Sequence, residues 1–77
     1  MNAVAIKKGQ LEVAAPVGFK TMGTVRCEGC GEEFFIWHQN EIASSVVAER
    51  QAHWLEKALA YEHERDQKHP DRIELPE

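Results

Sequence analysis

The sequence predicts a small α+β domain, a β-hairpin packed on one long C-terminal α-helix with additional short N-terminal strands. Three observations carry that expectation. Residues 19–26 and 34–37 have strand character and flank a glycine-rich turn. From Ala48 onward the apolar positions recur at helical spacing. The length, 77 residues, allows a single domain.

Taken in order, the first 18 residues read as an extended arm or short strands. Val4, Ile6, Leu11 and Val13 lie around Lys8-Gly9-Gln10, a candidate turn between two partly alternating segments. Ala14-Ala15-Pro16-Val17-Gly18 is a break, because proline lacks a donor and glycine punctuates. Residues 19–77 then form the compact part. Phe19, Thr21, Gly23 and Val25 alternate with Lys20, Met22, Thr24 and Arg26, so a strand runs directly into Cys27. Phe34-Phe35-Ile36-Trp37 has the aromatic and β-branched composition of a second strand. The turn between them falls at residues 27–31.

The second half is helical. Ser44 or Ser45 can cap it, and Ala48, Ala52, Leu55 and Leu59 mark one face, widened by Val47, Trp54 and Ala58. Neither Gly nor Pro occurs from Ile42 to His69, and Pro70 ends whatever helix remains. Asp71-Arg72-Ile73-Glu74-Leu75 alternates again and can return as a short strand. Trp37, Trp54, Phe34, Phe35 and Phe19 are the expected core between hairpin and helix. A stacking platform for bases is the less favoured use of these aromatics.

Composition narrows the function classes. Nine Lys or Arg oppose thirteen Asp or Glu, for a net charge of −4. No apolar run approaches the roughly 20 residues of a membrane span, and the N-terminal lysines follow the apolar stretch, the reverse of a secretory signal. Cytoplasmic localisation is expected, with no membrane partner and no small-molecule substrate. Residues 1–26 carry a net +3 and residues 27–77 a net −7. The basic part, Lys7, Lys8, Lys20 and Arg26, is the candidate nucleic-acid contact set, while the longer helical part is acidic.

Cys27 and Cys30 form one Cys-x-x-Cys. A disulfide there closes too small a loop to steady the domain much. A thioredoxin-like redox pair normally opens a helix whose dipole lowers the thiol pKa, but here Gly31-Glu32-Glu33 and strand-like residues follow. A metal site is favoured: two sulfurs on one tight turn can face a single ion, with Gly29 and Gly31 letting the backbone wrap around them. Structural zinc takes four tetrahedral ligands, so histidines must complete the set.

Helix geometry ranks them. His63 lies within roughly 40° of Leu59 on the buried face. His53 falls about 120° from that face and is expected at the surface. His63 and His69 are six residues apart, about 240° on a regular helix, and meet only if the helix unwinds between them. Asp66-Gln67-Lys68, with Pro70 following, is where the sequence weakens it. The expected ligands of one structural Zn2+ are therefore Cys27, Cys30, His63 and His69. His38, just past the second strand, is the alternative ligand.

Cys27-Glu28-Gly29-Cys30-Gly31-Glu32-Glu33-Phe34, then a helix bearing Leu59 and His63, then His69, resembles a two-cysteine, two-histidine zinc finger. The resemblance spans residues 24–70. It implies a zinc-stabilised ββα unit, with Phe34 or Phe35 at the family's core aromatic position and Leu59 at its core leucine. Two departures stand out. Thirty-two residues separate Cys30 from His63, well above the family's dozen, and the residues before His63 that would read DNA are acidic or apolar.

The function expected from these features is a structural zinc-binding module that acts as a protein-interaction or regulatory adaptor. The alternative is a nucleic-acid-binding zinc finger that uses the basic N-terminal segment. Catalysis is not expected. Glu32, Glu33, Glu62 and Glu64 flank the ligands but are common throughout this half of the chain, and a catalytic zinc keeps an open position.

Overall fold

The computed structural model describes residues 3–9 and 14–76. It is an α+β structure. Strands β1 (Ala3–Lys7), β2 (Phe19–Arg26) and β3 (Glu33–Gln39) are followed by helix α1 (Ser45–Asp66) and strand β4 (Arg72–Leu75). The four strands make one antiparallel sheet in the order β2-β3-β1-β4. The N-terminal strand is thus interior to the sheet, held between the hairpin and the returning tail. Leu11 and Val13, expected in a second N-terminal strand, lie outside the described residues.

Pairing assigns the faces, because residues directly opposite one another share a side. Phe34, Ile36 and His38 of β3 pair with Lys7, Ala5 and Ala3 of β1, and Ala5 and Ala3 continue to Ile73 and Leu75 of β4. This side packs under α1: Ala3, Ala5, Cys27, Phe34, Ile36, Leu55, Leu59 and Leu75 form one buried cluster. Val4, Ile6, Phe35 and Trp37 form a second cluster on the opposite side, covered in part by Ala15 and Phe19.

The expected aromatic core therefore needs correction. Of the five residues, only Phe34 lies between sheet and helix. Phe19, Phe35 and Trp37 pack on the far side, and Trp54 is 41% exposed. Successive side chains of a strand point to opposite faces, so Phe35 and Trp37 face away from α1, where Ala15 and Phe19 cover them in part. The unbroken run Phe34-Phe35-Ile36-Trp37 is how a strand covered on both faces reads.

Helix α1 starts where its hydroxyl cap allows. Ser44 has extended backbone, and its Oγ accepts a hydrogen bond from the Val47 N–H at 3.2 Å. Its fully buried residues are Gln51, Leu55 and Leu59, four apart. The buried stripe therefore includes Gln51, a polar residue, while Ala48, Ala52 and Ala58 are half-buried beside it. The helix ends at Asp66, four residues before Pro70. Gln67 takes the left-handed conformation (φ 57°) and its N–H donates to the His63 carbonyl at 2.9 Å. Lys7 N–H to Asp71 O, 2.9 Å, then fastens the tail to β1.

The two-sided sheet makes a direct prediction. Phe34→Ala should cost about 3–5 kcal/mol, as expected for a fully buried aromatic, whereas Trp54→Ala should stay within about 0.5 kcal/mol. Urea unfolding of the two variants measures both. Comparable losses would contradict the faces described above.

Candidate metal centre

The turn between β2 and β3 is built around Cys27. Its N–H donates to the Glu32 carbonyl and its own carbonyl accepts from the Gly31 N–H, both at 2.8 Å. Gly31 adopts φ +79°, a conformation L side chains rarely take. These bonds fold residues 27–31 into a knuckle with both sulfurs on one side. Cys27 is buried, Cys30 is exposed, and both are free thiols.

The helix brings the second half of the site. Leu55 and Leu59 seat α1 on the sheet, and the Cys27 thiol lies 3.9 Å from the Leu59 carbonyl it points to. One turn further, His63 reaches the knuckle. A β-carbon built on Gly29 would stand 2.8 Å from His63 Nε2 and closer still to the ring carbon beside it. Only glycine permits that approach. The left-handed Gln67 then reverses the chain, and His69 comes back to the same point. Its ring is 6.1 Å from that of His63, nearly parallel, and meets Phe34 edge-on at 5.6 Å.

One potential ligand atom from each of Cys27, Cys30, His63 and His69 lies within 4.8 Å of all the others. In a tetrahedral zinc site the four donors stand about 3.3–3.8 Å apart, from bond lengths of roughly 2.0–2.3 Å. Closing the cluster therefore takes movements of about 1 Å or less. The donor set suits a cation in a second respect. His63 Nδ1 and both nitrogens of His69 are buried without any hydrogen-bond partner, a costly state that an ion relieves at one nitrogen of each ring it binds. Glu62 Oε1 is 3.6 Å from His69 Nδ1, beyond hydrogen-bonding distance but on the correct side to orient the ring.

The Glu32 backbone N–H favours the Cys30 thiolate, yet burial and the neighbouring Cys27 thiol outweigh it and push the Cys30 thiol up. A redox-active cysteine requires the opposite shift. A coordinating cation would deprotonate it outright.

His38, the alternative ligand, is not in the cluster. It lies within β3, opposite Ala3 and Lys20, on the side of the sheet that faces α1. Two-residue alternation puts it on the side of Phe34, but it is the far end of the strand from the knuckle. It is fully buried, and neither of its nitrogens has a partner. Burial pushes its pKa down. His53 is exposed on the helix.

The candidate nucleic-acid contacts are largely engaged. Lys7 pairs with Glu32 at 3.0 Å, Lys8 with Glu33 at 3.4 Å, and Arg26 with Glu33 at 2.6 Å. Arg26 and then Lys8 hold the Glu33 carboxyl below its usual range. Lys20 is exposed and, among the described residues, forms no ion pair. Sequence reasoning named Gly29 for the turn and Glu62 among several flanking glutamates, but not the approach of His63 to Gly29, the place of Glu62 beside His69, or Gln51. Gly29 carried a signal as the residue inside Cys-x-x-Cys; the other two sit in an acidic, polar helix where nothing distinguishes them.

No family profile, curated protein or solved structure matches this chain.

Two predictions follow from the site geometry. Gly29→Ala should displace His63 and weaken metal uptake roughly tenfold to a hundredfold, as when a group that orients a ligand is lost; competition with a chromophoric chelator reads this. His38→Leu removes a buried polar ring and should raise stability by about 1 kcal/mol or more. Because the folded pKa of His38 lies below its unfolded value, the unfolded chain binds the extra proton. Wild-type stability is thus lost as pH falls below about 6.5, and the gap to His38→Leu should widen there. Thermal melts between about pH 5 and 7.5 test it; a constant gap would contradict the assignment.

Proposed function

We propose that this chain is a structural zinc module in which Cys27, Cys30, His63 and His69 hold one Zn2+. The observation that carries this reading is the convergence of two sulfurs and two imidazoles, drawn from segments over thirty residues apart, at a single point. Tetrahedral sulfur–nitrogen donor sets of this kind favour zinc. When bound, the ion cross-links the β2–β3 turn to the end of α1. Glu62 would hold His69 through Nδ1 and leave Nε2 for the metal. With four protein ligands the site is closed, which fits a structural and not a catalytic ion.

The resemblance to two-cysteine, two-histidine zinc fingers supports the same reading, with an enlarged spacer that accommodates the longer helix. The module works by macromolecular contact, as a protein-interaction or regulatory adaptor. The pairing of Lys7, Lys8 and Arg26 with Glu32 and Glu33 favours a protein partner over nucleic acid. Reduced thiols require a compartment such as the cytoplasm.

Reduced, metal-free protein should take up one equivalent of Co2+ with the absorption of a tetrahedral sulfur–nitrogen site, and Zn2+ should displace it. A structural zinc contributes an apparent ~10–16 kcal/mol in small finger peptides, so exhaustive chelation should abolish cooperative melting. Unchanged melting and spectral dispersion after chelation would refute the metal reading. Titration with nonspecific DNA and RNA at low salt should show no saturable binding; steeply salt-dependent binding would favour the nucleic-acid alternative.

A further inference from the structure

Strand β2 lies at the edge of the sheet, so one side of its backbone has no strand partner among the described residues. Natural edges are usually blunted by bulges, charges or covering segments. Here the devices are unevenly placed. The register against β3 shifts between Thr21 and Gly23, and Lys20 lies in the half before that bulge. From Gly23 to Arg26 the strand pairs regularly with Ile36 to Glu33. The charge in this half, Arg26, is drawn to Glu33 across the pair.

That regular half borders a cleft of about 510 Å³. Thr24, Val25 and Arg26 make one wall, while Glu49, Ala52 and Glu56 of α1 make the other. Val25 and Ala52 are half-buried against the core and supply an apolar floor. Glu49 and Glu56 are exposed and form no ion pair among the described residues. With Arg26 neutralised by Glu33, the unbalanced charge of the cleft is negative.

We infer that this cleft binds an extended basic peptide segment of a partner protein, which adds as a strand to the open edge at Gly23–Arg26. Main-chain hydrogen bonds to a sheet edge supply affinity without demanding a sequence, and alternate side chains supply selectivity. The side chains that face α1 meet Glu49 and Glu56, so lysine or arginine at every second position fits. The aliphatic stems of those basic side chains lie against Val25 and Ala52. The inference rests on reading the domain as a protein-interaction module, and it gives that module a surface and a partner chemistry.

The test uses full-length, zinc-loaded protein whose spectral dispersion is recorded first. Three labelled nonapeptides are titrated: alternating Val and Lys, the same peptide N-methylated at alternate backbone nitrogens, and alternating Val and Glu. The Val/Lys peptide should saturate, with amide shifts and slowed exchange confined to Gly23–Arg26 and the facing turns of α1. N-methylation and the Val/Glu exchange should each abolish binding. Glu49→Lys with Glu56→Lys changes two exposed residues and should weaken Val/Lys binding roughly tenfold, the sum expected for two rim charges. The inference is overturned if dispersed, zinc-loaded protein shows no saturation up to about 1 mM, if the N-methylated peptide binds equally, or if the shifts map elsewhere. Those results leave the metal site standing, while a chain that takes up no zinc fails at the earlier step.

Discussion

The seating of α1 on the sheet is the constraint on which the rest of the structure depends. Leu55 and Leu59 enter the cluster formed by Phe34, Ile36, Ala5 and Leu75, and this contact fixes the helix in height and rotation. One turn beyond Leu59, His63 has a single place to go, over Gly29. A shift of α1 by one residue along its axis, about 1.5 Å, or by 100° in rotation, would carry the imidazole off the knuckle. The candidate metal centre is thus a consequence of apolar packing several ångströms away, and an ion bound there would in turn lock the packing that created it.

The left-handed Gln67 is the second determinant. Residues other than glycine seldom occupy that region, and holding one there costs of order 1 kcal/mol. The return is geometric: the chain reverses sharply enough for His69 to face His63 and for β4 to reach its place beside β1. A glycine would make the reversal easier, but it would also leave the unfolded chain more freedom. His69 is buried against Phe34 with both nitrogens unpartnered. In the absence of a cation, nothing among the described residues compensates that burial, and so the end of the helix and the knuckle are mutually dependent.

Much of this was legible in the sequence because it rests on local rules. The strand into Cys27, the turn at residues 27–31, the hydroxyl cap, the apolar repeat through Leu55 and Leu59, and the strand-like tail all follow from spacing and residue type. What was not legible is long-range. Alternation separates Phe34 and Ile36 from Phe35 and Trp37, but which pair meets the helix, and that the other face is also covered, is set by tertiary packing that no local pattern encodes. The exposure of Trp54 is likewise tertiary: a widened stripe was expected where the helix fully buries only Gln51, Leu55 and Leu59. His38 was ambiguous because only seven residues separate it from Cys30. Only strand direction, which carries it away from the knuckle, separates it from the cluster. Gln51 shows the limit most plainly, since a glutamine at the centre of an apolar face contradicts the pattern that locates that face.

The candidate metal centre and the proposed peptide cleft share a strand. Arg26 lines the cleft and Cys27 follows it directly, so the backbone that would receive a partner strand is anchored at one end by the knuckle. The opposite wall is α1, whose C-terminal end carries His63. An ion at the knuckle would therefore fix both walls relative to one another, at a distance set by Leu55 and Leu59 in between. Thermodynamic linkage makes such a relation reciprocal: if the ion preorganises the cleft, occupation of the cleft must tighten the ion by the same factor. In the proposed reading, with one face of the sheet under a single helix, stability and recognition would have no separate scaffolds. The same few contacts would serve both.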